Sequence, residues 1–114
     1  MTRRSPRPRL EHILDACQNI SDFVARKSFT EYADDRMLRS AVERQFMIIG
    51  EALRAAESIE PAIAQEVTEF REAIDFRNVL VHGYSTVYHE GVWDIIHNHL
   101  PRLRREIETV LGRY

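Results

Sequence analysis

The chain has 114 residues, 44% of them hydrophobic and 30% charged, with a formal net charge of −2. That length favours one domain with a single core, and the composition is that of a soluble globular protein. The charge excludes a global positive field, so any anion-binding site has to be local. Four glycines and four prolines leave little room for long loops or many tight turns.

Residues 2–9, TRRSPRPR, hold four arginines and two prolines and read as a basic, flexible arm over residues 1–9. One helical domain is expected over residues 10–114. At ~100° per residue, Leu10, Ile13, Leu14, Cys17, Ile20 and Val24 form one apolar stripe, which predicts a first helix to about Arg26. Ser28 to Asp35 read as a connection, with Thr30 and Asp34 as candidate N-caps. A second helix is expected from about Asp35 to Ser58, with Leu38, Ala41, Val42, Ile49, Ala52, Leu53 and Ala56 on one face. Met37, Ile48 and Ala55 widen that face, so it can meet more than one neighbour. The helix should stop before Pro61, and residues 61–67 read as a short helix that Pro61 begins.

Thr68 is a candidate cap for a third helix, and Gly83 is its natural stop. A last helix should start between Thr86 and Glu90 and run to about Gly112. Its stripe is Val92, Ile96, Leu100, Leu103, Ile107 and Val110. Pro101 falls inside it and predicts a kink. No segment alternates as a strand would. The predicted fold is all-α, an antiparallel bundle of four main helices plus a short extra helix.

Cys17, the only cysteine, cannot form an intrachain disulfide and lies on the first helix's apolar stripe, so it reads as core in a reducing compartment. No apolar run approaches the ~18 residues of a membrane span. The opening residues are basic without the apolar stretch of a signal peptide. A cytoplasmic protein is expected.

The chemistry concentrates in DFRNVLVHGY, residues 75–84. On a regular helix Arg77 lies within about 20° of Phe70, in the middle of a stripe shared with Ala73, Ile74, Leu80 and Val81. An unpaired guanidinium cannot enter a dry core, since breaking a buried ion pair costs roughly 3–5 kcal/mol. Arg77 therefore pairs with a buried carboxylate or carbonyl, snorkels to the surface, or lines a cleft that accepts an anion. Asn78 and His82 share the flank. Arg77 and His82 point about 140° apart, and converge only if the helix ends or bends between them or if a second copy supplies one of them. Spacing alone is weak, because Arg7 and His12 repeat it at the edge of the arm. The second instance differs by its setting: a helix end, an apolar flank and a following Gly83-Tyr84.

Arg77-Asn78-Val79-Leu80-Val81-His82-Gly83-Tyr84 resembles the Arg-x4-His-x-Tyr motif of the HepT-like branch of the HEPN superfamily. Ile49-Gly50-Glu51-Ala52, Val92-Trp93 and Leu100-Pro101-x-Leu103 match the same branch. The resemblance covers about residue 10 to the end. It implies a HEPN-like helical homodimer that acts as a toxin, commonly encoded beside an MntA-like minimal nucleotidyltransferase antitoxin. It also implies a metal-independent ribonuclease and, in such type VII pairs, transfer of AMP from ATP to the motif tyrosine, here Tyr84. The Arg- and Pro-rich arm lies outside the family pattern.

Residue chemistry suits that implication. RNA carries its own nucleophile, the 2′-hydroxyl, and cleavage needs a proton acceptor, a proton donor and positive charge at the phosphorane. His82 can serve as acid or base, and the planar fork of Arg77 matches two phosphate oxygens. A two-fold dimer would place two copies of each in one cleft. Asn78 would orient His82 or a phosphate. Adenylylation of Tyr84 would add bulk and negative charge where RNA should lie.

Glu51, at the border of the second helix's apolar face, reads as a solvated or interface carboxylate and as the candidate partner of Arg77 when no ligand is bound. Gln45, within the second helix's stripe, is expected to make a buried hydrogen bond to a neighbouring helix. His12 reads as solvated and Trp93 as a packing anchor. Arg102, Arg104 and Arg105 form a basic turn, either a solvated face or a steering surface for RNA. His97 and His99 point in different directions on a helix, and no zinc spacing occurs, so no metal or other cofactor is expected. The alternative reading is a non-catalytic helical binding module that dimerises and docks a nucleotidyltransferase, with Arg77 in a structural ion pair. A net charge of −2 favours it, since RNA binders are usually more basic.

Overall fold

The computed structural model describes residues 4–83 and 87–114. The expected all-α bundle is found, and no described residue is in a strand. Helix α1, Arg7–Val24, begins three residues before Leu10, with Pro6 buried at its N-cap and Pro8 in its first turn. Proline costs nothing there, because the first amides of a helix have no intrahelical acceptor. Leu10, Ile13, Ala16, Cys17, Ile20 and Val24 are all buried. The helix ends two residues earlier than expected, and Arg26 then takes a left-handed backbone with φ of 62°.

The segment expected as a connection contains helix α2, Phe29–Asp34. Its cap is Ser28, not Thr30. Glu31 N donates to Ser28 Oγ at 3.1 Å and Ser28 N to Glu31 Oε1 at 2.9 Å, a reciprocal capping box. Asp35, not Asp34, caps the next helix by accepting from Leu38 N at 3.0 Å. Tyr32 of α2 is fully buried and stacks on Trp93 at 5.3 Å, while Phe29 meets the same indole at 6.1 Å. These two rings hold α2 against the later part of the chain, and Trp93 packs as expected.

Helix α3, Arg36–Ile59, is the spine. Val42, Phe46, Ile49, Gly50, Ala52, Leu53 and Ala56 are buried along it. Met37, expected to widen the buried face, is instead 82% exposed, since it sits in the first turn beyond the reach of its neighbours. Gln45 bonds a neighbouring helix as expected, accepting from Asn19 of α1 at 3.1 Å, but the bond is exposed rather than buried. A 3-10 turn, Pro61–Gln65, follows and buries Ile63.

Helix α4 spans Phe70–His82. Thr68 does not cap it; its backbone amide and hydroxyl both donate to Glu106. Glu106 belongs to α6, Leu100–Leu111, which is separate from α5, His89–Asn98. The expected kink at Pro101 is thus a break at His99. Pro101 lies in the first turn of α6, and its ring excludes a continuous helix through the preceding turn. Helices α1 and α3 pack as the central pair, with α4 against α3, α6 against α1, and α5 bridging α6 and α2. Among the described residues no helix is long and apolar enough to cross a membrane.

Candidate active site

The seam between α3 and α4 places Arg77. Phe70, Ile74 and Leu80 of α4 are buried, and Phe76 meets Phe46 of α3 edge to face at 5.2 Å. Val81, expected on the buried stripe, is 38% exposed, and Val79 is 45% exposed. Two apart on the helix, these valines leave the last turns of α4 in different directions.

At the middle of the seam the two backbones come close. A Cβ placed on Gly50 would lie 2.3 Å from Arg77 Cβ. Arg77 then runs outward along α3. Its Nη2 donates to Glu51 Oε1 at 2.8 Å and its Nη1 to Asn78 Oδ1 at 3.1 Å. The Nε is buried and has no hydrogen-bond partner among the described residues. The side chain is 20% exposed and that of Glu51 is 51% exposed. Arg77 is thus paired with a carboxylate that is half-exposed rather than buried, at the edge of the seam. The stem covers the seam, and the guanidinium meets the half-exposed Glu51 at its edge.

His82 is exposed at the end of α4, with the helix closed by Gly83 N donating to Val79 O at 2.7 Å. Helix α4 is continuous from Phe70 to His82, so no bend turns the imidazole toward Arg77 within one chain. The structure brings Arg77, Asn78 and Glu51 together and leaves His82 on a separate face. Tyr84 lies outside the described residues. Asn78, expected to orient His82 or a phosphate, has its carbonyl oxygen on Arg77 instead.

His97 and His99 have local roles. His97 Nδ1 lies 2.9 Å from Trp93 O, and its ring lies against the indole at 4.4 Å. His99 sits between Glu69 at 2.8 Å and Asp94 at 3.4 Å. Among the described residues no group of three or more His, Cys, Asp or Glu is arranged to hold a metal ion. In the basic turn, Arg102 pairs with Glu69, and Arg104 bonds Glu108 at 3.3 Å and Gln18 at 2.7 Å. Those two cations are engaged within the fold. A cavity of about 80 Å³ lies between α4 and the α5–α6 corner, floored by Phe46, Ile49, Phe76 and Leu103. Neither Arg77 nor His82 lines it.

Gly50 is the site residue that periodicity did not single out as functional. Its signal was a glycine in mid-helix, where glycine costs about 1 kcal/mol relative to alanine and so needs a spatial reason.

An α-helical HEPN-like bundle with an Arg-x4-His helix at its surface defines the class. The comparisons agree: the family model described as Ribonuclease HepT-like matches residues 13–110. A relative from Caldanaerobacter subterraneus subsp. tengcongensis is 31% identical over 96% of this chain and 97% of its own length. Another from Methanocaldococcus jannaschii is 28% identical over 96% of this chain and all of its own; both carry the name "Putative RNase". "Probable ribonuclease HepT" of Thermococcus cleftensis is 28% identical over 95% of this chain and 97% of its own. No solved structure matches significantly. The chain belongs to the HepT-like ribonuclease family.

Proposed function

We propose that this protein is an endoribonuclease, the toxin of a type VII (HepT/MntA-like) toxin–antitoxin pair, acting in the cytoplasm as a homodimer without a metal ion. The observation that carries this reading is the position of Arg77, whose guanidinium reaches the surface on the helix that ends in an exposed His82. Family membership and the names of the relatives support an RNA substrate.

Within one chain the arginine and the histidine point to different sides of α4, so a shared cleft calls for a second copy. Val81 on the side of Arg77 and Val79 on the side of His82 are both exposed and supply apolar surface for that contact. In the cleft, one His82 takes the proton of the 2′-hydroxyl as its oxygen attacks the adjacent phosphorus. The His82 of the second copy protonates the departing 5′-oxygen, and Arg77 carries the charge gathered on the phosphorane oxygens. Asn78 and Glu51 hold the guanidinium between turnovers. A nucleotidyltransferase antitoxin adenylylates Tyr84 and fills the cleft with negative charge.

The test is expression of the parent and of His82→Ala without the antitoxin, with cleavage of total RNA as the readout. His82→Ala should lose roughly 10²–10⁴-fold in rate, and a chelator should leave the parent's cleavage intact. Equal cleavage by both proteins would overturn the acid–base role. The second reading, a dimeric helical module that docks a nucleotidyltransferase, is favoured by the Arg77–Glu51 ion pair. Absence of cleavage and of any growth defect with the parent protein would select it.

A further inference from the structure

We infer that Gly50 is a positioning residue for Arg77: the empty space at this glycine lets α4 close on α3, so that the guanidinium reaches Glu51 at the surface. The backbone gives no other reason for glycine here. Gly50 lies within the 24-residue helix α3, and no glycine among the described residues has a positive φ. What requires it is room. An added Cβ would stand 2.3 Å from Arg77 Cβ, 2.9 Å from Arg77 Cγ and 3.2 Å from Ala73 O. The first and third of these atoms are part of α4 or fixed directly to its backbone, and no rotamer change moves them away. Any side chain at Gly50 therefore lifts α4 off α3 at the level of Arg77.

The consequence is local. Glu51 follows Gly50 on α3, and its Oε1 meets Arg77 Nη2 at 2.8 Å. The glycine sets the height of the stem, and its neighbour takes the end of the fork. The buried Nε, unpartnered among the described residues, sits between the two. Separating the helices by about 1 Å would open the Nη2 contact and let water reach Nε. A displacement of that size can cost about 10²-fold in rate when the displaced group stabilises a transition state.

The effect on cleavage rests on the ribonuclease reading; the effect on the guanidinium does not. The test therefore reads both, on Gly50→Ala and on the control Gly91→Ala, whose new Cβ would come no closer than 3.6 Å to Tyr88. In the ¹⁵N-labelled protein, Gly50→Ala is expected to move the Arg77 Nε–H resonance and to speed its exchange with water. It should also lower kcat for RNA cleavage by about 10²-fold with a smaller change in KM. Gly91→Ala should leave both readouts at the parent's values.

A lower melting temperature with an unmoved Arg77 resonance would make Gly50 a packing residue only and overturn the inference. So would parental kcat in Gly50→Ala. A moved resonance in a protein whose parent cleaves no RNA would keep the positioning and remove the ribonuclease reading. If Gly50→Ala does not fold, the swap Gly50→Ala/Arg77→Gly removes the two Arg77 contacts, leaving only the 3.2 Å approach to Ala73 O, and is expected to fold; failure of both variants would also overturn the inference.

Discussion

Arg77 Nη2 and Glu51 Oε1 stand 2.8 Å apart at the edge of the α3–α4 seam, with the arginine side chain 20% and the glutamate 51% exposed. That unequal exposure matters. A pair sealed in the core would resist separation, because each charge would have lost its water. A pair with a half-exposed carboxylate is worth about 0.2–1 kcal/mol. Charge-assisted, bidentate binding of a phosphate by arginine is stronger than an ordinary hydrogen bond. The contact holds the guanidinium in place without closing it to an incoming anion.

Glu51→Gln is therefore expected to cost less than about 1 kcal/mol of stability, read as a small fall in the urea midpoint with an unchanged slope. In a His82→Ala background, which should bind RNA without cutting it, Glu51→Gln should tighten RNA binding, because the guanidinium loses its internal anion. Weaker binding by the double variant would mean that Glu51 supports the bound state directly.

The capping box of α2 makes a second prediction. Ser28→Ala removes the acceptor for Glu31 N and should cost about 1 kcal/mol, measured by urea unfolding near neutral pH. The Glu31 carboxyl is held below the usual carboxylate range by its hydrogen bonds to the backbone and side chain of Ser28. A folded value below the unfolded one means that the stabilisation is present above the unfolded pKa, about 4.3. It is lost as pH falls through the lower, folded value. Because Ser28→Ala keeps the amide that donates to this carboxylate, the check is Glu31→Ala: its gap from the parent should narrow on acidification, and a constant gap would show that the carboxylate takes no part.

Cys17 makes a third. Burial pushes its thiol up to about 12, so native protein at mildly alkaline pH should not react with a thiol reagent, whereas unfolded protein should react fully. The sign of the linkage is opposite to that of Glu31. A folded value above the unfolded one gives stability that is complete below the unfolded pKa and is lost as pH rises toward the folded value. Stability should fall by about 1.4 kcal/mol per pH unit once the unfolded thiol ionises, and Cys17→Ala should flatten that fall. Rapid labelling of the folded protein would contradict the burial.

Much of the bundle was legible because its signals are local. The stripe of α1, the stop before Pro61, the end of α4 at Gly83 and the start of α5 all follow from helical period and from punctuating residues. Helix α2 was missed and its segment read as a connection, because it is too short for periodicity to register; its signal was Ser28-Phe29-Thr30-Glu31, a capping-box pattern. The break at His99 was visible only as a proline. Whether such a proline bends a helix or starts a new one depends on where the freed backbone groups find partners. Met37 and Val81 were placed on apolar faces by direction alone, and among the described residues both are exposed, because direction does not say whether a neighbouring helix extends over a turn.

Arg77 marks the same division. The sequence by itself determined that this arginine shares a helix face with Phe70, Ile74 and Leu80, and that His82 points away from it, because direction around a helix depends only on the residues between. Only the tertiary structure decided that the face meets a glycine rather than a leucine, that Glu51 is the carboxylate within reach, and that the fork emerges at the surface. The reason is that direction about one axis says nothing of the distance to the next. That distance depends on the side chains of both helices at the point of closest approach, and at Gly50 one of them is missing.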